Sequence, residues 1–400
     1  MDGKLIAHSF FRRFHPKGIN EAGVGKLKHA LPCYAAEGMT IAPARQTAYA
    51  VLEKVEGGGW ASDLLLAATA ALDSRDAGLA SEIVFGVLRH RAQLDYLLEH
   101  FGAPRKLDAE VRLALRMGIY QLRYLERIPA HAAVAESVEL VKRARKRSAA
   151  GMVNAVLRKV DRAAVEWPTR EIELSCPEWL LERWERHHGR EAAHAIALAA
   201  LEEPQKYVRV SAAGTRFQDI GSQSIVPLLE LEPGHTFLDL CAAPGNKTAQ
   251  ALEAGVRAVA CDLHWHRLRE LRGMGASLVA LDGTEALPLA QRFDRVLVDA
   301  PCSGTGTLGR NPEIKWRLRP DDLADLHGRQ TALLRNALAA LKPGGLLVYS
   351  TCSLEPEENR EVVAEAAPGR AVTVWERMPG RDAGDGFWAA VIKSEESAND

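Results

Sequence analysis

Thr236-Phe237-Leu238-Asp239-Leu240-Cys241-Ala242-Ala243-Pro244-Gly245-Asn246-Lys247-Thr248 decides the fold. A short apolar strand, Thr236–Leu240, runs into a turn of small residues, and a helix begins behind it. Such a strand-to-helix turn lets a ligand approach the backbone closely, with the helix N-terminus behind it. The stretch is not G-x-G-x-x-G, nor a P-loop, which needs two glycines spaced ahead of Lys-Ser/Thr. Dinucleotide and triphosphate binding are therefore disfavoured.

Beyond this stretch, strands alternate with helical segments. Candidate strands are Val256–Asp262, Leu278–Leu281, Arg295–Asp299, Leu346–Tyr349, Ala371–Trp375 and Phe387–Ile392. This alternation implies an α/β, Rossmann-like, doubly wound and mostly parallel sheet. Lys342-Pro343-Gly344-Gly345 reads as the tight turn entering Leu346–Tyr349. Asp262 ends the second strand, placed to accept hydrogen bonds from ribose hydroxyls. Asp282 ends the third, placed to receive an adenine amino group, and Asp299 ends the fourth. A lone Asp at a strand end is commonly a cap or turn residue. Three in succession around a Pro-Gly loop point to a nucleoside without phosphates, namely S-adenosyl-L-methionine.

Two thiols follow strands: Cys302 in Asp299-Ala300-Pro301-Cys302-Ser303, and Cys352 in Ser350-Thr351-Cys352-Ser353. Both should emerge at strand C-terminal ends, where open sheets of this type hold ligands. Alone, a free cysteine is commonly a small buried hydrophobe. Two facing one cleft suggest chemistry that makes and breaks a carbon–sulfur bond. Cys241 and Cys261 are read as packing residues, and Cys33 and Cys176 as structural or incidental.

The region before the sheet reads as all helix. Ala48, Val51, Leu52 and Val55 follow a buried helical stripe, and Gly57-Gly58-Gly59 stops it. Further helices are expected at Ala77–His100, Asp108–Leu125, Ala132–Ala144 and Ala149–Val160. Lys142, Arg143, Arg145, Lys146, Arg147, Arg158, Lys159 and Arg162 gather at its end, opposed locally only by Asp161. Such a run is either a solvated helix face or a phosphate-contacting surface. Lys206–Val210 is a further short strand candidate.

Composition sets the frame. The 400 residues carry a net charge of −1, so nucleic-acid binding needs a local patch. The six cysteines show no CxxC pair and no metal spacing, which suggests free thiols, a reducing cytoplasm and no metal. No apolar run is long enough for a bilayer. Residues 1–42 lack clear periodicity and read as a disordered extension or a start-site artefact ahead of Met39.

Four motifs carry a resemblance. Cys241–Thr248, Asp299–Gly306, Asn311–Arg317 and Ser350–Asn359 resemble the RNA (cytosine-5) methyltransferase family. Ala130–Ser137 and Gly151–Arg158 resemble the NusB-like domain fused to its Sun-type (Fmu, RsmB-like) branch, whose members modify 16S rRNA. The resemblance spans about Pro43 to Lys393. It implies an extension over 1–42, an all-α NusB-like RNA-binding domain over 43–163 and a shortened linker over 164–222. A class I methyltransferase domain over 223–394 and a tail over 395–400 complete the division.

Carbon 5 of cytosine is too weak a nucleophile to take a methyl group unaided, and a thiolate adding to carbon 6 activates it. By resemblance, Cys352 is that nucleophile, Cys302 assists the later β-elimination, and Asp299 hydrogen-bonds the pyrimidine and stabilises its altered charge. Lys247 would support the site and favour the thiolate. Cys241, Ala242, Ala243, Pro244, Gly245, Asn246, Lys247, Asp262, Asp282 and Asp299 would line the S-adenosyl-L-methionine site. Arg310, Arg317 and Arg319 are either phosphate contacts or solvated surface residues.

The chain departs from the family pattern twice. Asn246 stands where a second glycine is usual; asparagine tolerates a left-handed backbone, so the turn should survive. Only Ser211–Phe217 stands where relatives carry a small α/β module that helps dock RNA. The expected activity is 5-methylcytosine formation in ribosomal RNA by a cytoplasmic monomer. A tRNA methyltransferase and an RNA-binding assembly factor with little turnover are the alternatives.

Overall fold

The computed structural model describes residues 40–211, 214–290 and 292–394. The expectations for 1–39 and 395–400, Cys33 among them, lie outside the described residues. The described chain divides into two compact units, one from residues 40–87 and 94–165, the other from 88–93 and 166–394.

The first unit is helical. Its elements are α1 (Pro43–Glu56), α2 (Ala61–Thr69), α3 (Ser74–Arg89) as far as Val87, α4 (Arg91–His100) from Leu94 on, α5 (Ala109–Tyr124), α6 (Ala130–Arg143) and α7 (Ala150–Leu157); the junction 88–93 of α3 and α4 belongs to the second unit. The stripe Ala48, Val51, Leu52 and Val55 is buried as its spacing predicts. Gly86 of α3 lies against Tyr120 of α5 so closely that a Cβ would sit 1.9 Å from the ring. A larger residue at that crossing requires Tyr120 to move. Inside the bundle, Arg116 donates to both Asp95 carboxylate oxygens at 2.7 Å. The basic end is more internally engaged than the sequence suggests. Lys146 pairs with Asp108 at 2.9 Å, Lys142 with Glu139 at 2.6 Å, and Arg162 donates to the carbonyls of Leu122 and Leu125.

The helix expected over Ala77–His100 is two helices, broken at His90. In an unbroken helix the Leu88 and Arg89 carbonyls would accept from the amides of residues 92 and 93. Instead Trp316 Nε1 donates to Leu88 O at 2.8 Å, and the buried Lys315 ammonium to Arg89 O at 2.9 Å. Ala92 N–H turns to Ser175 Oγ at 3.0 Å. Two side chains of the Asn311–Arg317 motif thus take over carbonyls at a helix break, which periodicity cannot reveal.

After the junction 88–93, the second unit continues with a short helix Arg170–Glu173, helices Glu178–His188 and Arg190–Ala199, and a hairpin of β1 (Val208–Ser211) and β2 (Gly214–Phe217). Its main sheet contains β3 (Thr236–Asp239), β4 (Arg257–Asp262), β5 (Ser277–Ala280), β6 (Phe293–Asp299), β7 (Leu341–Thr351), β8 (Ala371–Arg377) and β9 (Phe387–Lys393). The strand order is β5-β4-β3-β6-β7-β9-β8, parallel from β5 to β7 and antiparallel at β9 and β8. Val296, Leu297 and Val298 are wholly buried, as both faces of a helix-covered sheet require. The helix Pro320–Ala339 supplies Leu333, Leu334 and Ala337 to one face, while Leu268 and Leu271 cover the other near Ala260.

The expected Lys342–Gly345 turn lies inside β7 as a bulge. Phe293 pairs with Leu341, Arg295 with Leu346, and Gly344 takes φ +70°. Lys342 Nζ holds both Asp294 carboxylate oxygens at 2.9 Å across it. The strand order reverses between β3 and β6, so the loops after these two strands border the crevice where open α/β sheets bind ligands. Those loops begin at Leu240 and Ala300.

Candidate active site

Three strand ends build the site. β3 delivers Cys241-Ala242-Ala243-Pro244-Gly245, which leads into the helix Asn246–Leu252. Gly245 carries the left-handed backbone, at φ +105°, and a Cβ there would meet the Leu271 side chain at 2.6 Å. The turn survives the family departure because the left-handed position is Gly245, whereas Asn246 is already helical. Asn246 uses its side-chain amide to reach Phe217 O at 3.3 Å.

Lys247, on the first turn of that helix, reaches the end of β6. Its ammonium donates to Asp299 Oδ2 at 2.8 Å, with the two side chains 6% and 9% exposed. Asp299 Oδ1 accepts from Ser350 Oγ at 2.9 Å, from its register partner on β7. Lys247 is thus engaged with the carboxylate. It also lies over the Phe387 ring, 5.3 Å from the centroid.

Cys302 and Cys352 emerge just past β6 and β7, and their sulfurs approach to 3.3 Å. Both are buried free thiols. Burial pushes the Cys302 thiol well above its usual range, and the adjacent Cys352 adds to the effect. Gly306 N–H donates to Cys352 O at 2.9 Å, tying the two loops at the backbone.

The residue after each thiol is serine, and both serines meet one carboxylate. Ser303 N–H donates to Glu358 Oε1 at 2.7 Å, and the Ser303 and Ser353 hydroxyls both donate to Oε2. Sequence reasoning missed Glu358, although the matched Cys-Ser pairs hinted at a shared partner.

The carboxylates of the expected cofactor pocket lie in different settings. Asp262 is buried and its Oδ1 accepts from His264 N–H at 2.9 Å. Asp282 is exposed and forms a local turn, Oδ1 accepting from Thr284 N–H and Oγ1. Asp239 at the end of β3 was not among the expected site residues. Its Oδ2 accepts from Thr248 at 2.7 Å, whereas Oδ1 is buried without a protein donor, and burial raises the group to about 7. Acceptors at the ends of β3 and β4, beside a backbone turn of small residues, suit a ligand rich in hydroxyl and amine donors.

Of the arginines, Arg310 is an internal residue: it pairs with Asp385 at 2.7 Å and Asp219 at 2.9 Å and donates to Gln205 O. Arg319 precedes the helix Pro320–Ala339, its N–H donating to Asp322. Cys261 and Cys176 are buried thiols pushed up to about 12 by burial, as packing residues are.

Comparison with known proteins agrees with this architecture. Residues 226–377 match the family described as 16S rRNA methyltransferase RsmB/F, and residues 42–162 match the NusB family. The chain is 33% identical to the "Probable ribosomal RNA small subunit methyltransferase B" of Bacillus subtilis, over 80% of this chain and 87% of that protein. It is 31% identical to the ribosomal RNA small subunit methyltransferase B of Klebsiella pneumoniae, over 86% and 96%. The solved structure of PH0851 superimposes with a TM-score of 0.69 at 20% identity, over 90% of this chain and all of that one, a likeness of fold. An all-α NusB-like region followed by a Rossmann-like methyltransferase domain, at this identity over most of both chains, makes the chain a member of the RsmB/F methyltransferase family.

Proposed function

We propose that the chain forms 5-methylcytosine in RNA, with 16S rRNA as substrate and S-adenosyl-L-methionine as methyl donor. The observation that carries the reading is the pair of sulfurs at 3.3 Å, beside a buried Lys247–Asp299 pair at the strand-order reversal. The choice of RNA rests on the family match and on relatives named for ribosomal RNA.

S-adenosyl-L-methionine, when bound, supplies an electrophilic methyl group. The turn Cys241–Lys247 with Asp262 and Asp282 would hold it, and the buried Asp239 Oδ1 suits a hydroxyl or amine donor. Cys352 Sγ adds as thiolate to carbon 6 of the cytosine, placing an electron pair on the ring that makes carbon 5 nucleophilic. Asp299 accepts a hydrogen bond from the cytosine amino group, and Lys247, 2.8 Å from Oδ2, holds that side chain in place. After methylation the carbon 5 proton must leave, its bonding pair restoring the ring double bond as the Cys352–carbon bond breaks. Cys302 assists that release as base. Burial favours the protonated thiol at rest, so Cys302 first gives its proton to solvent entering the cleft, and the thiolate so formed takes the carbon 5 proton.

In this reading residues 43–163 bind RNA, 164–222 form a shortened linker and 223–394 catalyse, in a cytoplasmic monomer. Labelled S-adenosyl-L-methionine with total RNA tests it: 5-methylcytosine should map to 16S rRNA. Label confined to tRNA overturns the substrate. No label in any RNA leaves the assembly-factor alternative.

A further inference from the structure

The sheet cannot hold the two thiols in place. The last ladder pair of β6 and β7 is Asp299 with Ser350, and Cys302 lies three residues beyond that register. Past it, two backbone donors cross between the loops farther along, Gly306 N–H to Cys352 O at 2.9 Å and Leu354 N–H to Thr305 Oγ1 at 2.9 Å, and next to the sulfurs themselves the loops meet at one carboxylate. Glu358 is wholly buried and lies in the turn that follows the Cys352 loop. An ionisable group is buried without great cost only when its hydrogen-bonding capacity is filled. Glu358 is filled almost entirely by the cysteine loops. Oε1 accepts from Ser303 N–H at 2.7 Å and from Gln330 Nε2 at 3.0 Å; Oε2 takes the Ser303 and Ser353 hydroxyls, which are themselves 3.0 Å apart.

The clamp is itself anchored. Gln330, from the helix Pro320–Ala339, also donates to Pro301 O at 2.9 Å, the residue before Cys302. Tyr349 OH donates to Glu358 O at 2.6 Å, and Asn359 Nδ2 to Ser353 O at 2.9 Å. Ser303 and Ser353, which follow the two cysteines, are therefore tied directly to one carboxylate, and Pro301, which precedes Cys302, is tied to it through Gln330.

From this arrangement we infer that Glu358 is a positioning residue that holds Cys302 and Cys352 in contact, so that the thiol releasing the product stays next to the thiol that attacked. It touches neither sulfur and acts through Ser303 and Ser353. The inference rests on the assignment of the two cysteines above. Its consequence is specific. Losing the clamp should impair release more than attack, because release needs both sulfurs in register and attack needs only Cys352.

The test compares Glu358→Ala, Glu358→Gln, Ser353→Ala and Cys302→Ala for covalent protein–RNA adduct, released 5-methylcytosine and affinity for S-adenosyl-L-methionine. Glu358→Ala should lower turnover about 100-fold, the loss typical of an ångström-scale misplacement. It should also shift the ratio of adduct to product toward adduct, as Cys302→Ala does, with cofactor affinity unchanged. Glu358→Gln keeps the shape and an acceptor for Ser303 N–H, and should restore most turnover. If Glu358→Ala does not fold, Ser353→Ala should move the ratio in the same direction by a smaller factor. The inference is overturned if adduct and product fall together in Glu358→Ala, if Glu358→Gln is as impaired as Ala, or if Ser353→Ala partitions like the parent. If Cys302→Ala accumulates no adduct, the assignment of the cysteines fails instead.

Discussion

Gly306→Ala probes how tightly the backbone of the attacking residue is held. Gly306 donates to Cys352 O at 2.9 Å and accepts from Gly386 N at 2.7 Å, so it is threaded between two backbone segments. A Cβ on Gly306 would lie 2.5 Å from Gly386 O and 2.8 Å from Cys352 O. Ordinary contact begins near 3.4 Å, so the Cys352 carbonyl must retreat by about 0.6 Å and that of Gly386 by about 0.9 Å. Neither is the end of a flexible side chain. Overpacking of this kind costs about 1–3 kcal/mol, which in a domain of this size is roughly 3–10 °C in melting temperature. The rate should fall further than stability implies. A 1 Å misplacement of a reacting group costs about 100-fold, so a shift near 0.6 Å should cost on the order of 10–100-fold. Single-turnover methyl transfer at saturating RNA and S-adenosyl-L-methionine reads the chemical step directly. Gly328→Ala is the control: its Cβ meets nothing within 4 Å on the helix Pro320–Ala339, so it should leave the rate unchanged and add up to about 1 kcal/mol. A Gly306→Ala enzyme with the parental rate would refute the view that the Cys352 loop is fixed by its backbone neighbours.

Lys247→Met strands the Asp299 carboxylate in a buried site and should destabilise the protein by about 3–5 kcal/mol in chemical denaturation, much of it recovered by adding Asp299→Asn. A loss under about 0.5 kcal/mol would mean the pair contributes little to stability. Asp239 is raised to about 7 by burial, so its folded pKa lies above the unfolded one. Its contribution is fully present below about pH 4 and is lost as pH rises through 7. Asp239→Asn should therefore match the parent near pH 4 and exceed it above pH 7, by up to about 4 kcal/mol in urea melts; parallel curves would count against the buried-acid assignment. Because burial raises the Cys302 thiol, decay of the RNA adduct should accelerate as pH rises toward and past about 9. Rapid-quench decay rates that are flat across that range would remove Cys302 as the base.

Much of this was legible because strand, turn and helix follow one another in short, strongly patterned pieces. Strands β3 to β7 were legible because helix-covered parallel strands read as short apolar runs between turns, and the antiparallel β9 is as apolar and buried, whereas β8 is a largely exposed edge strand read from its β-branched residues. The pairing of Cys302 with Cys352 followed from two thiols placed alike after adjacent strands. What escaped the reading depends on distant partners. The break at His90 exists because Lys315 and Trp316, more than 200 residues away, satisfy the Leu88 and Arg89 carbonyls. Arg310 read as either a phosphate contact or a solvated surface residue because its carboxylate partners, Asp219 and Asp385, lie on segments far from it in sequence. Glu358 sat in plain view within a quoted motif, yet its role needed the fold, because only the fold brings Ser303 and Ser353 to the same oxygen.

The most direct test of the account is to identify the atom that joins protein to RNA. The Cys302→Ala protein, incubated with S-adenosyl-L-methionine and 16S rRNA and then digested, should yield a nucleotide-linked peptide carrying the modification on Cys352, while Cys352→Ala should yield neither adduct nor 5-methylcytosine. Linkage through any other residue, or methylation that survives Cys352→Ala, would contradict it.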